Sequence, residues 1–564
     1  MRPSLRLLPI IALFILLFSA FNAHATHFRA GEITAKRISS LTYEIRLSAY
    51  FDVSPPGKDA ADAARSINFY FGSEGPRSVP RVESTIRNIG NNTTFNEYVT
   101  TFTFPAAGTY EISVEMDNRN ANTLNLNKGQ QTDRINFFVH TTLEINPSIG
   151  TNQTPVLLNA PIDLAAVGQR YIHNPNAFDA DGDSLSFKLF TPQSGDGRGN
   201  GINIPYEDPN LVGGAGRTEA GAVPATFRMD AITGDLIWDS PTVKGQYNVA
   251  FVVEEWRDGV RIGQIVRDMQ ILVEDARNAR PTIDPLPVLC VEAGTRINQQ
   301  IKAVDKDGNP LILTSTGGVY QGSLIKPALA TFTVPSQATG QVTGQFVWQT
   351  GCDHIRLEPY DVLFKVEDAP SPGTNPNLFR KLTDMTTLSI KVYGPKPLGL
   401  RAVPATDPAG TAYRLNWTAY KCPVPGARVV IYRREGCSDI QVEPCLTGIP
   451  AGSGYEEIGR VPVDQTTYLD NNNGDGLRAG ISYSYRLVVE FPRPGTNINE
   501  PGSLVGGGES VASDEFCLNL PMLAPVLPML LLIQPAKQEG LSPSNGQNLP
   551  LLRDFLHNIA CSGQ

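Results

Sequence analysis

At 564 residues the chain exceeds what one hydrophobic core supports, so several domains are expected. Hydrophobic residues at 41% against 18% charged exclude wholesale disorder, and a net charge of -9 without any lysine or arginine run argues against a nucleic-acid partner. The 51 glycines and 44 prolines punctuate short apolar runs, a texture of turns between strands rather than of long helices.

Residues 1–25 read as a signal peptide. Arg2 and Arg6 make a basic start, Leu7 to Ala20 is almost unbroken apolar sequence, and Ala23-His24-Ala25 supplies a small-x-small cleavage pattern before Thr26. The apolar stretch is shorter than the roughly 20 residues of a membrane span, and no later segment qualifies as one. The expectation is a secreted protein with no transmembrane span, extracellular or at the cell surface. Seven cysteines fit an oxidising compartment, and the absence of CxxC or Cys/His metal spacings favours disulfides.

Four β-modules are predicted in a row. In residues 26–149, Leu41 to Leu47, Phe95 to Phe102 and Gly108 to Val114 alternate as half-buried strands do. The Gly108-Thr109-Tyr110 opening and the strand after it resemble the penultimate strand of PKD-type sandwiches.

An internal repeat follows. One copy runs Pro155, Asp179-Ala180-Asp181-Gly182-Asp183, Gly234-Asp235-Leu236-Ile237-Trp238, then Tyr247 to Glu255. The other runs Pro281, Asp305-Lys306-Asp307-Gly308-Asn309, Gly344-Gln345-Phe346-Val347-Trp348, then Tyr360 to Asp368. In both, the proline stands 24 residues before the first aspartate and the tyrosine seven before a glutamate. Two tandem domains of one fold, 150–277 and 278–393, are expected. The first carries a Gly-rich insertion around Ser194 to Gly221, read as flexible. The motif order resembles bacterial cadherin-like domains.

Residues 394–520 make the fourth module. Tyr413 to Trp417, Val429 to Arg433 and Leu477 to Val488 are similar to the core strands of fibronectin type III domains, whose alternate residues fill the space between two sheets. The fold class is therefore all-β, with tandem immunoglobulin-like sandwiches and a poorly ordered tail, 521–564.

Cys290 and Cys352 are both cysteine in the second repeat, while their counterparts Leu164 and Thr242 in the first are not. That joint presence predicts a Cys290–Cys352 bridge. The fourth module's Cys422, Cys437, Cys445 and Cys517 allow three pairings, of which Cys437–Cys445 with Cys422–Cys517 is preferred. Cys561 is left over.

The best chemical constellation is Asp179, Asp181 and Asp183, alternate carboxylates in a tight turn that can converge on a hard cation such as calcium. A metal-free Asx-rich turn is the alternative. The cadherin-like resemblance implies that such a turn works with acids from neighbouring strands. Glu254 and Glu255 are the nearest in the first copy, with Glu274 and Asp275 beyond them. Asp305, Asp307, Glu367 and Asp368 are the second-copy set. His27, His140, His173 and His354 are scattered, and neither H-E-x-x-H nor G-x-S-x-G occurs, so no catalytic residue is assigned.

Taken with Thr26 to Ile33 and the module order, the chain resembles gliding-motility-associated surface proteins of Bacteroidetes-type bacteria over about 26–520. That family ends in a type IX C-terminal sorting domain, which this sequence lacks; a truncation or frame shift after about Leu520 would account for the tail. The resemblance implies a secreted, non-enzymatic adhesin or surface-structural protein, stiffened by calcium, with cell-surface proteins or polysaccharides as partners. A carbohydrate-binding protein and a secreted hydrolase are the alternatives.

Overall fold

The computed structural model describes residues 28–518 apart from 371–379, 493–506 and the positions 56, 73, 222, 327, 408–409, 439, 442, 444 and 479. Residues 1–25, expected to be a signal peptide, together with His27, the tail and Cys561, lie outside the described residues. Within them the chain is all-β and sandwich-like, with one short α-helix, Gly57–Ala63, and a few single 3-10 turns.

The first module folds two groups of antiparallel strands over one core. Phe28–Arg37, Thr42–Asp52 and Thr93–Thr103 form one group, with Ile33 opposite Leu47 and Leu47 opposite Tyr98. Ser66–Phe71, Gly108–Met116 and Phe137–Ile145 form the other. Alternate residues such as Ile45, Leu47, Phe69, Ile112, Val114 and Val139 meet between them, all buried, as period-two patterning requires.

The boundary at 149/150 is not a physical break. The strand Val260–Glu274 leaves the second module and enters the first module's sheet. One of its edges takes three partners in succession: Phe137–Ile145 at Gly263 to Ile265, Phe28–Arg37 at Asp268 and Met269, and Leu164–Ala166, parallel, at Leu272 to Glu274. Its other edge pairs along its length with Gly245–Arg257. A strand so placed is covered on both faces. Met269, Ile271 and Val273 pack with Trp238, Tyr247 and Phe251, and with Tyr50 and Phe95 of the first module.

The central charges of that strand are paired inside the protein. Arg119 makes a two-pronged ion pair with Asp268 (2.7 and 2.9 Å), and Arg267 does the same with Glu32 (2.8 and 3.2 Å). All four side chains are almost fully buried.

Both copies of the sequence repeat bring the same two rings together. Trp238 meets Tyr247 edge-on at 4.9 Å, and Trp348 meets Tyr360 edge-on at 5.0 Å. In the third module two four-stranded sheets enclose this pair; in the fourth, three strands face four. There Tyr485 donates to Asp470 (2.8 Å) between the sheets.

The cysteines pair differently from the expectation. Cys290 bonds Cys445, Cys352 bonds Cys422 and Cys437 bonds Cys517, with Cα separations of 5.8, 5.4 and 5.5 Å. Cys290 lies on Leu289–Glu292 and Cys352 in the turn after Gln341–Gln349, strands of different sheets. Each reaches across to the fourth module instead of to the other. Sequence spacing carries no trace of that junction, so Cys290–Cys352, Cys437–Cys445 and Cys422–Cys517 are all corrected.

Candidate metal centre

The Asp179–Asp183 turn is built by its own residues. Asp179 Oδ1 accepts the Asp183 amide (3.0 Å), and Gly182 takes φ +80°, a left-handed conformation that costs glycine no Cβ clash. The second copy repeats the device: Asp305 Oδ1 accepts the amides of Asp307 and Asn309, and Gly308 has φ +75°.

Strand alternation then decides which neighbouring acid joins. Glu255 points at the turn, whereas Glu254 lies on the opposite face and pairs with Lys188 and Arg261, each at 2.9 Å. Glu274 is also elsewhere, with Lys244 and Arg380. Carboxylate oxygens of Asp179, Asp181, Asp183 and Glu255 lie within 4.8 Å of one another. Two oxygens sharing one calcium at about 2.3–2.6 Å stand at most about 5 Å apart, so this set can close on a single ion.

The donors present do not satisfy it. Arg257 holds Asp183 with two bonds (2.5 and 2.6 Å), and Gln153 donates its amide to Asp181 (2.9 Å). Neither oxygen of Glu255 receives a donor, nor does Asp179 Oδ2, although Glu255 is 0% and Asp179 1% exposed. Asn152 Oδ1, one residue before Gln153, is a further buried oxygen without a donor. Buried acceptors are rarely left in this state. Burial first, then mutual repulsion, pushes the Asp179 and Glu255 carboxyls well above their usual range and Asp181 up to about 7. An oxygen-seeking divalent cation would supply the missing positive charge and the missing partners together, so the donor set fits one.

The cluster stands where three modules meet. Arg257 also donates to the carbonyls of Ile149 and Thr151 in the connecting segment (both 2.8 Å). Tyr43 of the first module donates to Asn152 O (3.1 Å). From the third module Arg356 reaches the Asp179 carbonyl (3.4 Å), its guanidinium over the rings of Phe178 and Tyr360. Cavities of about 240 and 210 Å³ open on either side of the turn.

The second-copy set is not gathered in this way. Asp307 accepts the Ala279 amide (2.5 Å) and Glu367 pairs with Lys381 (3.0 Å). Asp368 is satisfied by the Asn278 side chain and the Leu382 amide, both at 2.6 Å. Asn309 stands in place of a third acid, and although Asp305 Oδ2 is left without a donor as Asp179 Oδ2 is, both oxygens of Asp368 are filled where those of Glu255 stay empty. Arg257 and Gln153 were missed by sequence reasoning. The shared Asn-x-x-Pro of Asn152–Pro155 and Asn278–Pro281 was the available signal for the connecting segment.

The described histidines His140, His173 and His354 are buried in separate places. Among the described residues a second grouping of ligand-type side chains, Cys437, Cys517 and Glu515, has its sulfurs in a disulfide. The Gly-rich loop is held, not loose. Ser113 donates to Gly199 O (2.7 Å), the Gly197 amide donates to Glu115 (2.8 Å), and a Cβ on Gly199 would strike the Tyr70 ring.

No family model matches the chain, and no curated protein matches it. Among solved structures the chain is similar to the E. coli chaperone DraB, all of which aligns with 44% of this chain at 12% identity and a TM-score of 0.17. A likeness at that level carries no argument. No described helix is long and apolar enough to cross a membrane.

Proposed function

We propose that the protein is a secreted, non-enzymatic adhesin or surface-structural protein whose first three modules are stiffened by one calcium ion. The observation that carries this reading is the set of donorless buried oxygens on Asp179 and Glu255 at the meeting point of residues 149–153, Tyr43 and Arg356. Neutralising that cluster would hold the connecting segment, the turn and the long hairpin in one arrangement. Rigid β-modules then present their loops, where recognition concentrates, at a distance from the attachment point. Cell-surface proteins or polysaccharides are the partners this reading implies.

The test uses the mature chain, because the strand Val260–Glu274 needs the first module as a partner. Calorimetric titration should show one calcium per chain and a raised melting temperature, both lost in Glu255→Gln. Absence of heat and of any melting shift removes the calcium element. Bead-bound protein that adheres to cells in calcium but not in chelator supports the adhesive element; equal binding in both conditions removes the link between the two. The carbohydrate-stacking alternative is less favoured, since no aromatic ring among the described residues is exposed.

A further inference from the structure

The three disulfides have a topological consequence that none has alone. Cys290 is joined to Cys445, and Cys437, eight positions before Cys445, is joined to Cys517. A covalent path from position 290 to position 517 therefore runs across the first bridge, back along 445 to 437, and across the second. It contains about eight residues of backbone in place of about 227 (517 less 290). Cys352–Cys422 lies wholly inside the bypassed segment and ties the same two modules at a second point.

We infer that this path is a tension bypass: pulling on the two ends of the chain loads the first two modules and the chain up to Cys290, but not the third and fourth modules beyond it, apart from the 437–445 stretch. The two modules also touch non-covalently: Lys421 of the fourth pairs with Glu292 of the third (3.4 Å), and a Cβ built on Gly508 would stand 3.0 Å from the Arg356 backbone. Between the two bridges only the short 437–445 stretch can extend, by about 30 Å at ~3.6 Å per residue. The fourth module's strands and the third module's turn Asp305–Asn309 keep their folded geometry under a force that unfolds the first two modules. This inference follows from connectivity and stands whether or not calcium binds.

The experiment is single-molecule stretching of the mature chain from both ends, before and after reduction. Full contour length is read at high force, so it does not depend on how well any variant folds. Reduction should lengthen the chain by the backbone of about 219 residues (227 less 8), about 800 Å. If the cysteines instead paired as the sequence spacing suggests, 290 with 352, 422 with 517 and 437 with 445, the gain would be about 550 Å. That value, or no gain, overturns the inference. Without reductant, the double variant Cys352→Ser/Cys422→Ser should match the parent. Cys437→Ser/Cys517→Ser should be longer by about 230 Å and Cys290→Ser/Cys445→Ser by about 250 Å. Equal lengths for all three variants would also overturn it.

Discussion

Glu255 and Gly263 face each other across the long hairpin, and a methyl group built on Gly263 would stand 2.5 Å from Oε2 of Glu255. The room for the buried carboxylate is the side chain that Gly263 lacks. Gly263→Ala should push the carboxylate out of the cluster, with about 1–3 kcal/mol of overpacking cost. Thermal melts in calcium and in chelator check this: the melting temperature falls in both, and the calcium-induced rise shrinks.

Adjacent glutamates should behave oppositely. Glu255→Gln removes a buried acid whose carboxylate form has no donor, so in chelator the variant should be more stable than the parent, by about 1–3 kcal/mol. In calcium the order should reverse. Glu254→Gln disturbs a partly solvated pair with Lys188 and Arg261, and its effect should stay below about 1 kcal/mol in either condition. Paired melts of the two variants decide the matter.

Calorimetric stoichiometry should be one. Asp179→Asn should abolish the calcium heat, whereas Asp305→Asn and Asp368→Asn should leave it intact, because Asn278 and Leu382 already satisfy Asp368. A stoichiometry of two would contradict this assignment.

His140 lies among Phe138 and Phe190, and burial lowers its pKa to about 4. The folded protein thus holds fewer protons there than the unfolded chain between about pH 6.5 and pH 4. Its contribution is complete above the unfolded value and lost as pH falls through that window, about 3 kcal/mol in all. Denaturant titrations in calcium at pH 7 and pH 4.5 should show a smaller acid loss for His140→Gln than for the parent.

Arg119→Met leaves Asp268 charged and buried, a change expected to cost about 3–5 kcal/mol. Because this pair joins the first two modules, the loss should not stay local. Hydrogen exchange should accelerate together in Thr42–Asp52 and in Gly245–Arg257; acceleration in one strand alone would show that the modules unfold independently.

Much of the fold was legible because β-structure writes itself at period two. The Trp238/Tyr247 and Trp348/Tyr360 pairs, the two Asp-Gly turns and the buried Trp417 all follow from local pattern. Arg267 and Asp268 carry no such local signal: they are charges in mid-strand, and only the first module's cover, with Glu32 and Arg119, makes them a buried pair of ion pairs. The glycines from Gly195 to Gly201 read as a flexible loop, whereas their missing side chains admit Tyr70, Phe138 and Glu115.

The sequence by itself determined the strand class, the repeat and three of the four clustered carboxylates, since turn chemistry and alternation act over a few residues. Only the tertiary structure decided that Glu255 rather than Glu254 completes the cluster, that its second-copy counterpart is satisfied, and which cysteines meet. Those outcomes depend on which module surface lies opposite, a matter of long-range packing that residue spacing does not encode.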